Sequence, residues 1–152
     1  MPMESGDYLV QVSGGLVVYC DPPTYPSAEE IGELVQDGFR VLVGVHPKII
    51  AAPQEIEHLT RLLTLPAELG EIGIDHIVDQ HDQWHYQERQ LKALLTLLDQ
   101  GKALVLHIRG TRTDSTGLEV YMRCLDLLEH RVCSDQKIQV HCFTGPGSVV
   151  RD

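Results

Sequence analysis

The chain has 152 residues, 43% hydrophobic and 22% charged, with 12 Lys and Arg against 22 Asp and Glu for a formal net charge of −10. Apolar residues recur along the whole length, which excludes a disordered chain, and the length suits about one buried core. The acidic balance excludes binding of nucleic acid through a broad basic face, yet leaves room for a divalent cation to supply positive charge locally.

Leu16 to Cys20 is an apolar, β-branched run that predicts a first strand, closed by the turn Asp21-Pro22-Pro23. Ser27 with Glu30 three positions on forms a capping box. The helix it opens sets Ile31, Leu34 and Val35 on one face, and Asp37-Gly38 stops it. Val41 to Val45 is a second strand that runs into His46-Pro47. Pro53 opens a second helix with Ile56, Leu59, Leu62 and Leu63 at helical spacing, and Pro66 separates it from a third strand, Ala67 to Ile74. The longest helix is predicted from about Gln83 to Gln100, with Trp84, Leu91, Leu94, Leu95 and Leu98 on its buried stripe and Gly101 as its stop. Ala103 to Ile108 follows as a fourth strand, Gly117 to His130 as a fourth helix and Ile138 to Cys142 as a fifth strand, before Thr144-Gly145-Pro146-Gly147.

Short apolar runs alternating with helical segments are the mark of βα units around a mainly parallel sheet. Each strand delivers a polar side chain at or near its C-terminal end, the edge at which parallel α/β folds bind ligands. Glu71, His107 and His141 recur at intervals of about 35 residues, so the chain holds four to five such units. A closed eight-stranded barrel takes roughly 250 residues. The expectation is one α/β domain of about five parallel strands, too short to be a closed barrel. A flavodoxin-like binding domain fits less well, because no Gly-rich phosphate loop follows the first strand.

Glu71 in Gly70-Glu71-Ile72-Gly73, His107 in Leu106-His107-Ile108-Arg109 and His141 in Val140-His141-Cys142 bring a carboxylate and two imidazoles to one sheet edge. Taken singly, a strand-end His reads as a hydrogen-bonded core residue and a strand-end Glu as a solvated one. Together they make a candidate site for zinc, manganese or iron, with magnesium less suited to two imidazoles. Arg109, on the same strand face as His107, holds a phosphate oxygen, orients a carboxylate or forms a structural salt bridge. Asp75 orients a His tautomer or caps the next segment, and His46-Pro47 faces substrate or shapes its loop. A second cluster, His76, His81 and His85 with Asp79 and Asp82, reads as a solvated loop. Trp84 and Tyr86 could stack on a base, although Trp84 fits the helix core better.

Four motifs in order, Gly44-Val45-His46-Pro47, Gly70 to Asp75, Leu106 to Arg109 and Val140 to Gly145, resemble those of the TatD-related metal-dependent deoxyribonucleases. These belong to the amidohydrolase-like TIM barrels, and the Cys20-Asp21-Pro22 turn and the Pro47-Lys48 pair are similar to the animal TatD-domain-containing group. The resemblance, which extends from about Gly15 to Gly147, implies a single partial domain, an incomplete TIM (β/α)8 barrel with its core at about residues 15–147, and a phosphodiester hydrolase acting on DNA or RNA. It implies Glu71 bridging two divalent cations, of Mg, Mn or Zn, with His107 and His141 on the second. The family's opening Asp-x-His-x-His strand and closing Glu-Thr-Asp strand do not occur, so the expectation is a truncated chain holding at most one cation. The alternative is a non-catalytic half-barrel that acts as a binding module or self-associates through open sheet edges.

Met1 to Tyr8 lacks the basic and apolar blocks of a secretory leader, and no apolar run reaches the roughly 18 residues of a membrane helix. Cys20, Cys124, Cys133 and Cys142 show no CxxC spacing and read as reduced thiols. The expected setting is cytoplasmic or nuclear, not secreted and not at a membrane.

Overall fold

In a computed structural model that describes residues 14–77, 81–99, 101–111, 113 and 117–141, five strands pair side by side in chain order. They are β1 (Gly15–Tyr19), β2 (Phe39–Val43), β3 (Ala67–Asp75), β4 (Leu104–Arg109) and β5 (Ile138–His141), and every pairing is parallel. The connections carry α1 (Ala28–Gln36), α2 (Pro53–Leu62), α3 (His81–Leu95) and α4 (Leu118–Glu129). A doubly wound fold reverses its strand order part-way across the sheet. Here the order runs in one direction, as the wall of a barrel grows, and the fold is α/β with five parallel strands, consistent with part of a TIM barrel. No helix among the described residues is long and apolar enough to cross a membrane.

One core joins the sheet to the helices. Val41, Val43, Ala67, Leu69, Ile72, Ile74, Leu104, Leu106 and Ile108 pack on Ile31 of α1, Leu59 of α2, Leu91 and Leu94 of α3, and Tyr121 and Cys124 of α4. On the other face Leu42 and Val105 are buried, while Leu16 and Val18 are 51% and 40% exposed.

The capping box of α1 forms as its sequence predicts: the Glu30 N–H donates to Ser27 Oγ and the Ser27 N–H to the Glu30 carboxylate, both at 3.1 Å. Val35, expected on the buried face, is 37% exposed, so the stripe narrows to Ile31 and the half-buried Leu34. Pro53 starts α2, and Leu59, Leu62 and Leu63 are buried. The predicted α3 is too long. It ends at Leu95, where Thr96 donates its hydroxyl to the Ala93 carbonyl at 2.6 Å and the chain turns through Leu97 N–H to Leu94 O and Leu98 N–H to Leu95 O. A hydroxyl that bonds the backbone locally competes with the helical ladder. Trp84 is half-buried and lies outside the core cluster that the predicted stripe assigns it to. The position of Cys142, expected in the last strand, lies outside the described residues.

An irregularity in β3 sets up the site. Leu69 stands opposite Leu104, but Ile72 stands opposite Leu106, so β3 carries one more residue than β4 over this stretch. Since side chains alternate with period two, one inserted residue exchanges the faces. Ala67 and Leu69 point to the helices before the bulge, and Ile72 and Ile74 after it. Glu71, Gly73 and Asp75 thereby reach the face that carries His107 and Arg109. Without the bulge, the odd-numbered positions would all join Ala67 and Leu69 against the helices.

Candidate functional site

Six side chains named from the sequence meet at the C-terminal edge of the sheet. Glu71 and Asp75 come from β3, His107 and Arg109 from β4, His141 from the end of β5, and His46 from the loop after β2. Glu71 Oε1 lies 3.1 Å from His107 Nδ1, and Glu71 Oε2 lies 3.8 Å from His141 Nε2. The other ring nitrogen of His107, Nε2, lies 3.0 Å from Asp75 Oδ2. Arg109 donates to Asp75 from Nε at 3.3 and 3.1 Å and from Nη2 at 2.9 Å. The His46 ring lies over that of His107, with centroids 4.7 Å apart and planes tilted by 50°.

Both strands cooperate in this placement. Gly73 pairs with His107 and Asp75 with Arg109, so the two carboxylates of β3 flank His107 along the strand direction. Gly73 must be glycine: its φ is +152°, and a Cβ there would come 1.9 Å from the His107 carbonyl oxygen. A Cβ on Gly44 would likewise come 2.7 Å from the Gly70 carbonyl, so the chain leading to His46 passes β3 at a distance only glycine allows.

Asp75 is fully buried, and its oxygens are saturated. Oδ1 accepts from the Ile77 N–H at 3.0 Å and from Arg109, Oδ2 faces His107 and Arg109, and Lys48 Nζ lies 4.0 Å from Oδ2. Burial pushes this carboxyl up, but the hydrogen bonds from His107, Arg109 and the Ile77 amide outweigh it and hold Asp75 well below the usual carboxylate range. It is a carboxylate fixed in charge and position. Burial, and His107 beside it, lower His46 from its ordinary value against the pull of Asp75 and Glu71. That favours neutral imidazole, the form that binds metals.

Three residues at the site escaped the sequence reading. Gln87 of α3 is buried and clamps the Asp75 backbone, accepting its N–H at 2.8 Å and donating to its carbonyl at 2.9 Å. Gln90, one turn on, accepts the Ala51 N–H and donates to the Ile49 carbonyl, tying the His46 loop to the same helix. Lys48, whose N–H donates to His46 Nδ1 at 3.2 Å, adds a half-exposed ammonium beside Asp75. The available signal was two glutamines at i and i+3, on a helix otherwise read for its leucines.

The second His/Asp cluster is not assembled among the described residues. His76 stacks on Trp84, and His85 is exposed. Asp79 and the side chains of His81 and Asp82 lie outside the described residues. Tyr86 is 51% exposed.

Among the described residues, His46, Asp75 and His107 can hold a metal ion, with ligand atoms all within 4.8 Å of one another. Two imidazoles and a carboxylate suit a first-row divalent cation. The donor geometry is also compatible with one. Both His107 nitrogens face carboxylate oxygens near 3 Å, whereas a neutral imidazole carries a single N–H, so one contact needs a second proton or a cation.

Fold and site define an α/β protein of the barrel type, with a metal-competent cluster at its strand C-termini. The model of the family described as TatD related DNase matches residues 8–152, and the chain belongs to that family. Membership supports a metal-dependent hydrolase of nuclease type. No curated protein matches the chain.

Proposed function

We propose that this chain hydrolyses nucleic-acid phosphodiester bonds with one divalent cation held by Glu71, His107 and His141. The observation that carries this reading is the unequal occupation of the two carboxylates around His107. Asp75 already accepts an amide, a guanidinium and a ring nitrogen, which uses the roughly four lone-pair sites of a carboxylate. Glu71 faces the nitrogens of His107 and His141. With Asp75 accepting the proton of His107 Nε2, the Nδ1 lone pair points at Glu71, and a cation relieves that contact. Asp75 then orients a ligand, a role whose loss typically costs 10–100-fold in metal affinity.

The mixed donor set favours Mn or Zn over Mg. When bound, the cation acidifies water and stabilises charge on phosphoryl oxygens. The chain's own residues do the rest. Arg109 and Lys48, each about half exposed, place positive charge beside the cluster to receive a phosphate against the overall −10. Neutral His46 covers one side of His107 and supports its ring. DNA is the proposed substrate, with RNA as the other candidate. The free thiols of Cys20, Cys124 and Cys133 support a cytoplasmic or nuclear setting. The exposed Leu16 and Val18 favour a second reading, a non-catalytic module that self-associates through its sheet.

The test is a calorimetric titration of the purified chain with Mn²⁺, alongside cleavage of single-stranded DNA and RNA of one sequence. One cation per chain, cleavage abolished by chelation, and loss of both in Glu71→Gln are expected, with Asp75→Asn weakening the metal about 10–100-fold. Full metal affinity in Glu71→Gln together with none in Asp75→Ala would move the cation to His46, Asp75 and His107. Metal binding without cleavage, in a chain that runs as an oligomer, would favour the module.

A further inference from the structure

A groove of about 510 Å³ opens between α3 and α4, beyond the ends of β3 and β4, with His76, Trp84, Glu88, Glu119, Arg123 and Asp126 in its wall. It begins one residue from the metal-competent cluster. His76 follows Asp75 and donates its N–H to the Arg109 carbonyl at 2.8 Å, and Gly110, also in the wall, follows Arg109. Its volume falls in the range of small-molecule sites.

The chemistry of this wall differs from that of the cluster. The His76 and Trp84 rings are stacked, with centroids 4.0 Å apart and planes within 13°. Among the described wall residues three carboxylates accompany one guanidinium, and Arg123 is already bound to Glu88 at 2.7 and 3.0 Å and to Asp126 at 3.2 Å. A phosphate here would meet a net negative charge from the described wall residues. A flat, uncharged ring would meet an aromatic pair and carboxylate acceptors for its amino group.

We infer that this groove binds a base of the nucleic-acid strand, next to the phosphodiester bond hydrolysed at the Glu71 cluster. The inference rests on the hydrolase reading, and the base lies against the His76–Trp84 pair. Bases with an exocyclic amino group, adenine above all, are held better than thymine, which offers the wall carboxylates no such donor.

Trp84 is the one tryptophan of the chain, so indole fluorescence reports this groove directly, with or without catalysis. In the presence of a chelator, a short oligodeoxyadenylate and deoxyadenosine quench the emission saturably, whereas deoxyribose and inorganic phosphate do not. In the metal-loaded enzyme, Trp84→Leu raises KM for single-stranded DNA about 5–150-fold, the equivalent of 1–3 kcal/mol per stacked base, with a much smaller change in kcat. Trp84→Phe restores most of the loss, because it keeps both the packing and the stacking surface. Absence of quenching by deoxyadenosine and by the oligonucleotide, or equal KM in the Leu and Phe variants, would overturn the subsite. Saturable quenching by bases in a chain that cleaves nothing would keep the groove and sink the hydrolase.

Discussion

Asp75 shows how one buried side chain sets a site's electrostatics. Its carboxylate holds Arg109, His107 and the turn at Ile77 together with no exposure to water. In Asp75→Asn the amide presents a donor where it formerly accepted, so part of the Arg109 or His107 pairing is left unmet in a buried place. A loss of about 1–3 kcal/mol in urea denaturation at pH 7 is expected. Because its folded value lies below the ordinary one, the carboxylate contributes stability that is fully present above the unfolded value of about 3.9 and is lost as pH falls toward the folded one. Urea midpoints measured from pH 7 down to pH 3 should therefore fall more steeply for the native chain than for Asp75→Asn. Parallel slopes would remove Asp75 from the acid response. Asp75 and Arg109 could be named from sequence because charged residues at strand ends are conspicuous. Gln87 could not, since an amide on a helix acquires its role only when that helix packs over Asp75.

At the scale of elements, the bulge in β3 decides which residues face the site. Alternation read straight through Ala67 to Asp75 places Glu71 among the core positions, and the inserted residue moves it to the face of His107. Gly73, just after the bulge, has no room for a Cβ. Gly73→Ala should cost about 1–3 kcal/mol or more, measured by thermal melting, and should weaken Mn²⁺ binding as well, because the backbone it displaces carries His107. Gly32 is the contrasting case: it lies inside α1 with nothing within 4 Å of an added Cβ. Gly32→Ala should stabilise by about 0.5–1 kcal/mol with metal affinity unchanged. If both substitutions destabilised alike, the tight packing of β3 against β4 would not be the cause. Helices with clear caps were readable locally, α1 to within a residue of its start. The end of α3 was not, because a side-chain hydroxyl competing for the Ala93 carbonyl outweighs a leucine pattern that continues to Leu98.

For the whole molecule, one core runs from α1 to α4, and Cys124 lies at its far side with no exposure, while Cys133 is exposed. Burial, and to a lesser extent Glu88, push the Cys124 thiol up to about 12. In a variant that retains only Cys124, labelling by a disulfide reagent at pH 8 should be as slow as global opening and should accelerate with urea. In one that retains only Cys133, labelling should be immediate. Fast labelling of Cys124 without denaturant would mean that α4 opens independently of the core.

The sequence by itself determined the parallel α/β class, the spacing of its units and the strand edge where chemistry gathers. Those follow from local periodicity, from caps and turns, and from polar residues interrupting apolar runs. Only the tertiary structure decided that Arg109 neutralises Asp75, that glutamines of α3 clamp the site, and that Trp84 lines a groove rather than the core. These depend on a one-residue register shift and on contacts between segments far apart in the chain, and no local pattern encodes either.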